Sequence, residues 1–225
     1  MAATAATERA TQLAFDPNEA VAHLTHADPV LGALIARCGP YAPSTTAAPD
    51  VFHSLTRAIV YQQLSGKAAG TIYRRVLDAL GGADAPGAAR IAAADEATLR
   101  GAGLSRNKML SLQALSAAQL ADELPDEARM ADHSDAQLIE TYSAIRGIGR
   151  WTVEMLLMFH LGRPDVMPIH DLGVRKGYAL TYGMAELPKP KQLEAACEIW
   201  RPYRSVGSWY MWRALEVDGA APQPG

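Results

Sequence analysis

The chain has 225 residues, 49% hydrophobic and 20% charged, with 21 Lys and Arg against 24 Asp and Glu for a formal net charge of -3. That length suits one large domain or two small lobes with a true core. No run reaches the roughly 18 apolar residues of a membrane span, the acidic balance gives no global support to nucleic-acid binding, and two cysteines, Cys38 and Cys197, are too few for a disulfide framework or a four-thiolate cluster. Buried, reduced thiols imply a cytoplasmic protein. The N-terminal MAATAATERATQLAF lacks the basic start and apolar block of a signal peptide. Residues 1–14 and 219–225 read as loose tails.

The elements in chain order are helices set off by capping residues. Asp16-Pro17 and Asp28-Pro29 each read as an N-cap with proline at the first helical position. Asp50 opens VFHSLTRAIVYQQ, which sets Val51, Leu55, Ile59 and Gln62 on one side. Ser65 opens GKAAGTIYRRVLDAL, and Gly81 and Gly82 close it. GADAPGAARIAAADEA reads as one short helix between loops. Ser105 opens RNKMLSLQALSAAQLAD, and Ser134 with Gln137 makes a capping box. Later helices begin near Arg150, Asp171, Pro190 and Ser205. No segment alternates as a strand, so the expected fold is all-α, with about ten helices.

The stretch IRGIGRWTVEML, Ile145 to Leu156, puts Gly147 and Gly149 before an almost wholly apolar helix. Glycines before a helix N-terminus leave backbone N–H groups uncovered, and such amides hold an anion without a lysine. A DNA phosphate is one natural occupant. Residues 141–178 carry five Lys and Arg against three acids, a local positive excess within an acidic chain. Gly-x-Gly alone is better explained as a plain helical hairpin, and it is the neighbouring residues that shift the balance. Twenty residues past Trp151, MPIHDLGVRKGY places Asp171 at the start of another helix, where a carboxylate serves as an N-cap or as a chemical group.

These residues carry a family resemblance. LIETYSAIRGIGRWTVEMLLMFHLGRPDVMPIHDLGVRKGY, together with FHSLTRAIVYQQLSGKAAGTIYRRV, GLSRNKM and RPYRSVGSWYMWRAL, resembles the helix-hairpin-helix DNA glycosylase superfamily, nearest its 3-methyladenine DNA glycosylase II branch. The resemblance spans roughly residues 15–218. It implies two helical lobes with a cleft between them and no N-terminal β domain. Residues 15–50 and 167–218 would form lobe A, and 51–166 lobe B, with the hairpin at about 135–162.

By the same resemblance, Asp171 is the catalytic carboxylate. Trp151, Met155 and Tyr203 line the base pocket, with Met155 standing where some relatives have an aromatic. Gln63, with Leu64 next, fills the gap left by a flipped base. Gly147, Gly149, Arg150, Thr152, Ser105 and Lys108 meet the DNA backbone. Backbone carbonyls of Ser143, Ile145 and Ile148 hold a monovalent cation, Na or K, and no cofactor is required. Other roles stay open: Gln63 as a polar helix end, Ser105 and Lys108 as a solvated helix start, and Trp209 and Trp212 as core. His170 stands where close relatives carry a second Asp, and faces the pocket mouth or solvent.

The expected activity is monofunctional release of alkylated bases from double-stranded DNA by a monomer, leaving an abasic site. Relatives that cut the strand use a lysine in the hairpin helix to form a Schiff base, and Trp151 stands in its place. The iron–sulfur motif of other relatives needs four cysteines. Release of oxidised or mispaired bases, and DNA binding without chemistry, are the alternative readings.

Overall fold

The computed structural model describes residues 13–43, 48–82 and 86–218; the tail ends at 1–12 and 219–225 lie outside them. In chain order the elements are α1 (Pro17–Ala27), α2 (Pro29–Cys38), α3 (Val51–Tyr61), α4 (Gly66–Ala79), α5 (Ala88–Ala93), α6 (Glu96–Gly101) and α7 (Arg106–Leu120). They continue with α8 (Glu127–Met130), α9 (Asp135–Ser143), α10 (Arg150–Phe159), α11 (Leu172–Thr181), α12 (Pro190–Ala196), a 3-10 turn at Cys197–Trp200, and α13 (Arg204–Val217). The described residues contain no strand, and the all-α expectation holds.

The caps set most helix starts. Carboxylates of Asp16, Asp28, Asp50 and Asp171 and hydroxyls of Ser65, Ser105 and Ser134 accept from backbone amides at the helix entrances, and Ser134 with Gln137 forms the full capping box. Such bonds satisfy amides that have no partner inside the helix.

The number of helices departs from expectation. The alanine-rich stretch read as one helix is two, α5 and α6. Ala94 is extended between them, and Asp95 caps the second by accepting from Thr98 N–H at 2.6 Å. The four-residue α8, capped by Asp126, is too short to show periodicity. Gln62 lies past the end of α3 with ψ 132°, so it leaves the face that carries Val51, Leu55 and Ile59.

The chain divides into two compact units, one of residues up to Ala48 and from Leu157 on, the other of Pro49–Leu156. The second crossing falls inside α10, earlier than the 166/167 boundary drawn from sequence, because a continuous helix offers no loop to mark it.

In the first unit α13 packs on α11 and α2, and α1 packs on α2. A Cβ at Gly177 would come within 1.9 Å of the Met211 carbonyl oxygen, so α11 and α13 meet nearly backbone to backbone. Asp28, 5% exposed, is a buried carboxylate with its charge fully answered. One oxygen accepts from the Val30 and Leu31 amides, the other from Trp200 Nε1–H at 2.9 Å and from the Tyr182 hydroxyl. Without such partners a buried carboxylate is strongly destabilising.

In the second unit α7 packs against α3, α5 and α6. Ile59, Ile91, Leu99, Leu112 and Leu115 are fully buried there. Tyr142 on α9 is buried too, its hydroxyl donating to the Pro125 carbonyl at 2.6 Å.

Candidate functional site

The glycine turn and the helix after it belong to the second unit. The turn closes with Ile148 N–H on the Ile145 carbonyl at 3.1 Å. Gly147 has φ +81°, and a Cβ there would sit 2.0 Å from Ser111 Oγ on α7. Glycine is required on both counts, by conformation and by contact. The first helical bond of α10 is Val153 N–H to the Gly149 carbonyl. The amides before it form the positive end of the helix dipole, facing a turn with no Cβ at Gly147 or Gly149.

Arg150 and Thr152, expected to meet the DNA backbone, differ from each other. Arg150 is exposed and held in place by Nε–H donation to Glu154 at 2.8 Å. Thr152 is buried, 7% exposed. Trp151 is 50% exposed, an unusual position for a large aromatic, and Met155 is half-buried on the same helical face one turn on.

Gln63 and Leu64 follow α3 in a tight turn, with Leu64 N–H donating to the Tyr61 carbonyl. Gln63 is exposed and has φ +57°. Ser105 is exposed, and its hydroxyl caps α7 by accepting from Lys108 N–H.

Lys108, expected at the DNA backbone, uses its charge within the fold. Its ammonium is turned inward. It is half-buried and donates to the carbonyls of Val60 and Gln62, each at 2.7 Å. Desolvation lowers its pKa from the ordinary lysine value. Helix ends leave carbonyls unpaired, and a lysine there is a natural partner.

The first unit holds Asp171. Its Oδ1 accepts from Val174 N–H at 2.7 Å and from Trp212 Nε1–H at 2.9 Å. The indole reaches it because position 173 is glycine, where a Cβ would come within 2.7 Å of Trp212 Cδ1. Phe159 flanks the same indole, ring centroids 5.8 Å apart. Tyr203 stands in another aromatic group, 5.8 Å from Phe15 and 5.4 Å from His23. His170 is exposed beside Asp171. The described residues include no group of His, Cys, Asp or Glu able to hold a metal ion.

With this geometry in place, comparison with known proteins decides the family. The pattern of the HhH-GPD superfamily of base excision DNA repair proteins matches residues 56–202. The chain belongs to that superfamily. DNA-3-methyladenine glycosylase 1 of Schizosaccharomyces pombe is 33% identical over 196 residues, covering 87% of this chain and 86% of the relative. A solved structure of the S. pombe 3-methyladenine DNA glycosylase Mag1 in complex with abasic DNA superposes with TM-score 0.78 at 33% identity, covering 88% of this chain and 97% of that one. A DNA-3-methyladenine glycosidase from Bacillus halodurans gives TM-score 0.79 at 34% identity, covering 87% and 88%.

Within this HhH-GPD chain, three features escape a reading by residue type. Trp212 looks like core filler, yet its polar edge meets the carboxylate. The one local signal for it is Gly173, two residues past an N-cap, where a side chain would ordinarily be tolerated. Gln62 donates from Nε2 to the Gly147 carbonyl at 2.9 Å, a contact across 85 residues that no spacing reveals. Lys108 is cationic in sequence, and only the structure shows that its charge is used internally.

Proposed function

We propose that the protein is a monofunctional DNA N-glycosylase that removes alkylated bases, of the 3-methyladenine and 7-methylguanine type, from double-stranded DNA as the opening step of base excision repair. The observation that carries this reading is Asp171, a carboxylate anchored at one oxygen by a helix amide and an indole N–H in a chain of this superfamily. The names of the relatives support the same substrate class.

The reaction breaks the bond between C1′ and the base nitrogen, and the electron pair goes to the base. A cationic base therefore departs neutral, and the deoxyribose takes up positive charge. Asp171 stabilises that charge and orients the attacking water. The water oxygen bonds to C1′, its proton passes to the Asp171 carboxylate and on to solvent, and an abasic site remains.

Reaching the bond requires the base to leave the stack, at a cost of a few kcal/mol. Trp151, with Met155 one turn on along α10, offers the flipped base an aromatic face, where a cationic purine gains about 0.5–2 kcal/mol, and Tyr203 is a separate candidate for such a contact. Gln63, flanked by Leu64, fills the vacated space. The amides at Gly147, Gly149, Arg150 and Thr152, with Ser105, grip phosphate. Trp151, in the position of the Schiff-base lysine, leaves base release as the whole reaction.

The carbonyls of Ser143, Ile145 and Ile148 would hold a monovalent cation. Their all-oxygen donor set suits one, and the Ile145 oxygen keeps a lone pair after accepting from Ile148 N–H. Such a cation would add positive charge at the phosphate grip.

The enzyme acts as a monomer in a reducing, cytoplasmic compartment. Free thiols at Cys38 and Cys197 support that placement, and no described helix is long and apolar enough to cross a membrane.

The test is a duplex carrying a single 7-methylguanine. The expected result is free methylated base and an alkali-labile site, with no covalent adduct trapped by borohydride. A trapped adduct contradicts the monofunctional reaction. DNA binding without release from any alkylated duplex leaves only a binding module.

A further inference from the structure

Three segments distant in sequence meet in the second unit. The turn after α3 supplies the Val60 and Gln62 carbonyls and the Gln62 side chain. The start of α7 supplies Lys108, whose ammonium bonds both carbonyls at 2.7 Å. The glycine turn supplies the Gly147 carbonyl, which accepts from Gln62 Nε2–H at 2.9 Å. Gly147 rests on Ser111, one helical turn along α7 from Lys108. Gln63, immediately after this clamped residue, is exposed in a left-handed conformation.

We propose that Lys108 and Gln62 are positioning residues that lock the Gln63 turn onto the glycine turn, so that gap filling and phosphate grip move as one body. This rests on the glycosylase reading above. The physical argument is reach and direction. The direction of a left-handed residue past a helix end depends on how the peptide before it is held, and here Lys108 holds the Gln62 carbonyl, immediately before Gln63, together with that of Val60 in the last turn of α3. A lysine serving a phosphate would carry its ammonium into solvent, where counterion release rewards it. This one gives that up for two internal bonds. Gln62 then ties the same turn to the loop that fixes the register of the phosphates. When DNA is seated on the glycine turn, Gln63 is aimed at a fixed distance along the strand.

The experiment is a double-mutant cycle on the full-length protein with the 7-methylguanine duplex. Lys108→Met and Gln62→Ala are each made alone and in a Gln63→Ala background. The readouts are single-turnover base release, unstacking of 2-aminopurine in the duplex, and the salt dependence of binding to unmodified duplex. Each single substitution is expected to slow release about tenfold or more, as misplacement of a positioned group does. The salt slope should stay that of the parent, and neither substitution should add to the loss once Gln63 is alanine.

Effects that multiply with Gln63→Ala would overturn the proposal. So would a salt slope lower by about one for Lys108→Met, the mark of a direct phosphate contact, or parental rates in both variants. Gln62 is a partly exposed residue past the helix end, so its variant carries the cycle if Lys108→Met does not fold. A parent that unstacks 2-aminopurine without releasing base sinks the glycosylase reading while the same cycle, read by fluorescence, still decides this one. A parent that does neither sinks both.

Discussion

The glycine turn before α10 and the start of α11 both lie at helix N-termini, yet one presents backbone and the other a single side chain. At the turn, Gly147 is held by Ser111 contact and positive φ, and what it offers is amides. At α11, Asp171 caps the helix and accepts from Trp212, and what it offers is charge. A backbone site tolerates few substitutions because its shape is its function. A side-chain site can lose its chemistry while keeping its shape.

The largest expected effect separates chemistry from shape at α11. Asp171→Asn should lower base release by about 10²–10⁴-fold while stability stays within about 0.5 kcal/mol, because Asn also caps well. Asp171→Ala should lose the same activity and about 1 kcal/mol of stability besides. Single-turnover assays and urea denaturation read the two, and a parental rate for Asp171→Asn would end the mechanism.

Next comes the backbone site. Gly147→Ala should destabilise by about 2–3 kcal/mol, since the new methyl meets Ser111 and φ is strained. Its affinity for unmodified duplex should fall as well. Parental stability on denaturation would show that the turn is not shaped as described.

Trp212→Phe keeps an aromatic ring, smaller than the indole, and removes the N–H that reaches Asp171. A lost bond to a charged group predicts about a tenfold slower release, with DNA affinity unchanged in a binding titration. Of the two glycines, Gly149→Ala has the smaller effect on stability, since an added Cβ there meets nothing within 4 Å. Stability should shift by less than about 1 kcal/mol, and any loss should appear in duplex binding. Equal destabilisation at 147 and 149 would erase the distinction between a glycine needed for shape and one that leaves a surface open.

Much of the fold is legible in the residues because capping chemistry is local. Asp, Ser and Pro at helix entrances act over three or four positions, and Asp16, Asp28, Asp50, Ser65, Ser105, Ser134 and Asp171 all cap where that chemistry places them. The split of the alanine-rich stretch at Asp95 and the four-residue α8 are missed because too few residues carry a period. For the candidate site, Asp171 and the glycine turn are visible because each is marked by residue type. The partners are not: Trp212 lies 41 positions from Asp171, and Gln62 lies 85 from Gly147. Long-range polar contacts leave no periodic trace. Residue type alone does not show the inward placement of Lys108, whose ammonium lies against two carbonyls.

Gln63 adopts a backbone geometry that glycine would enter more readily, at φ +57°, and that geometry costs a non-glycine residue about 1–2 kcal/mol. On the proposed gap-filling role, a glycine there would relax the turn and leave nothing to insert. The position thus exchanges local comfort for reach, and a library randomised at 63 should divide into sturdier proteins and more active ones.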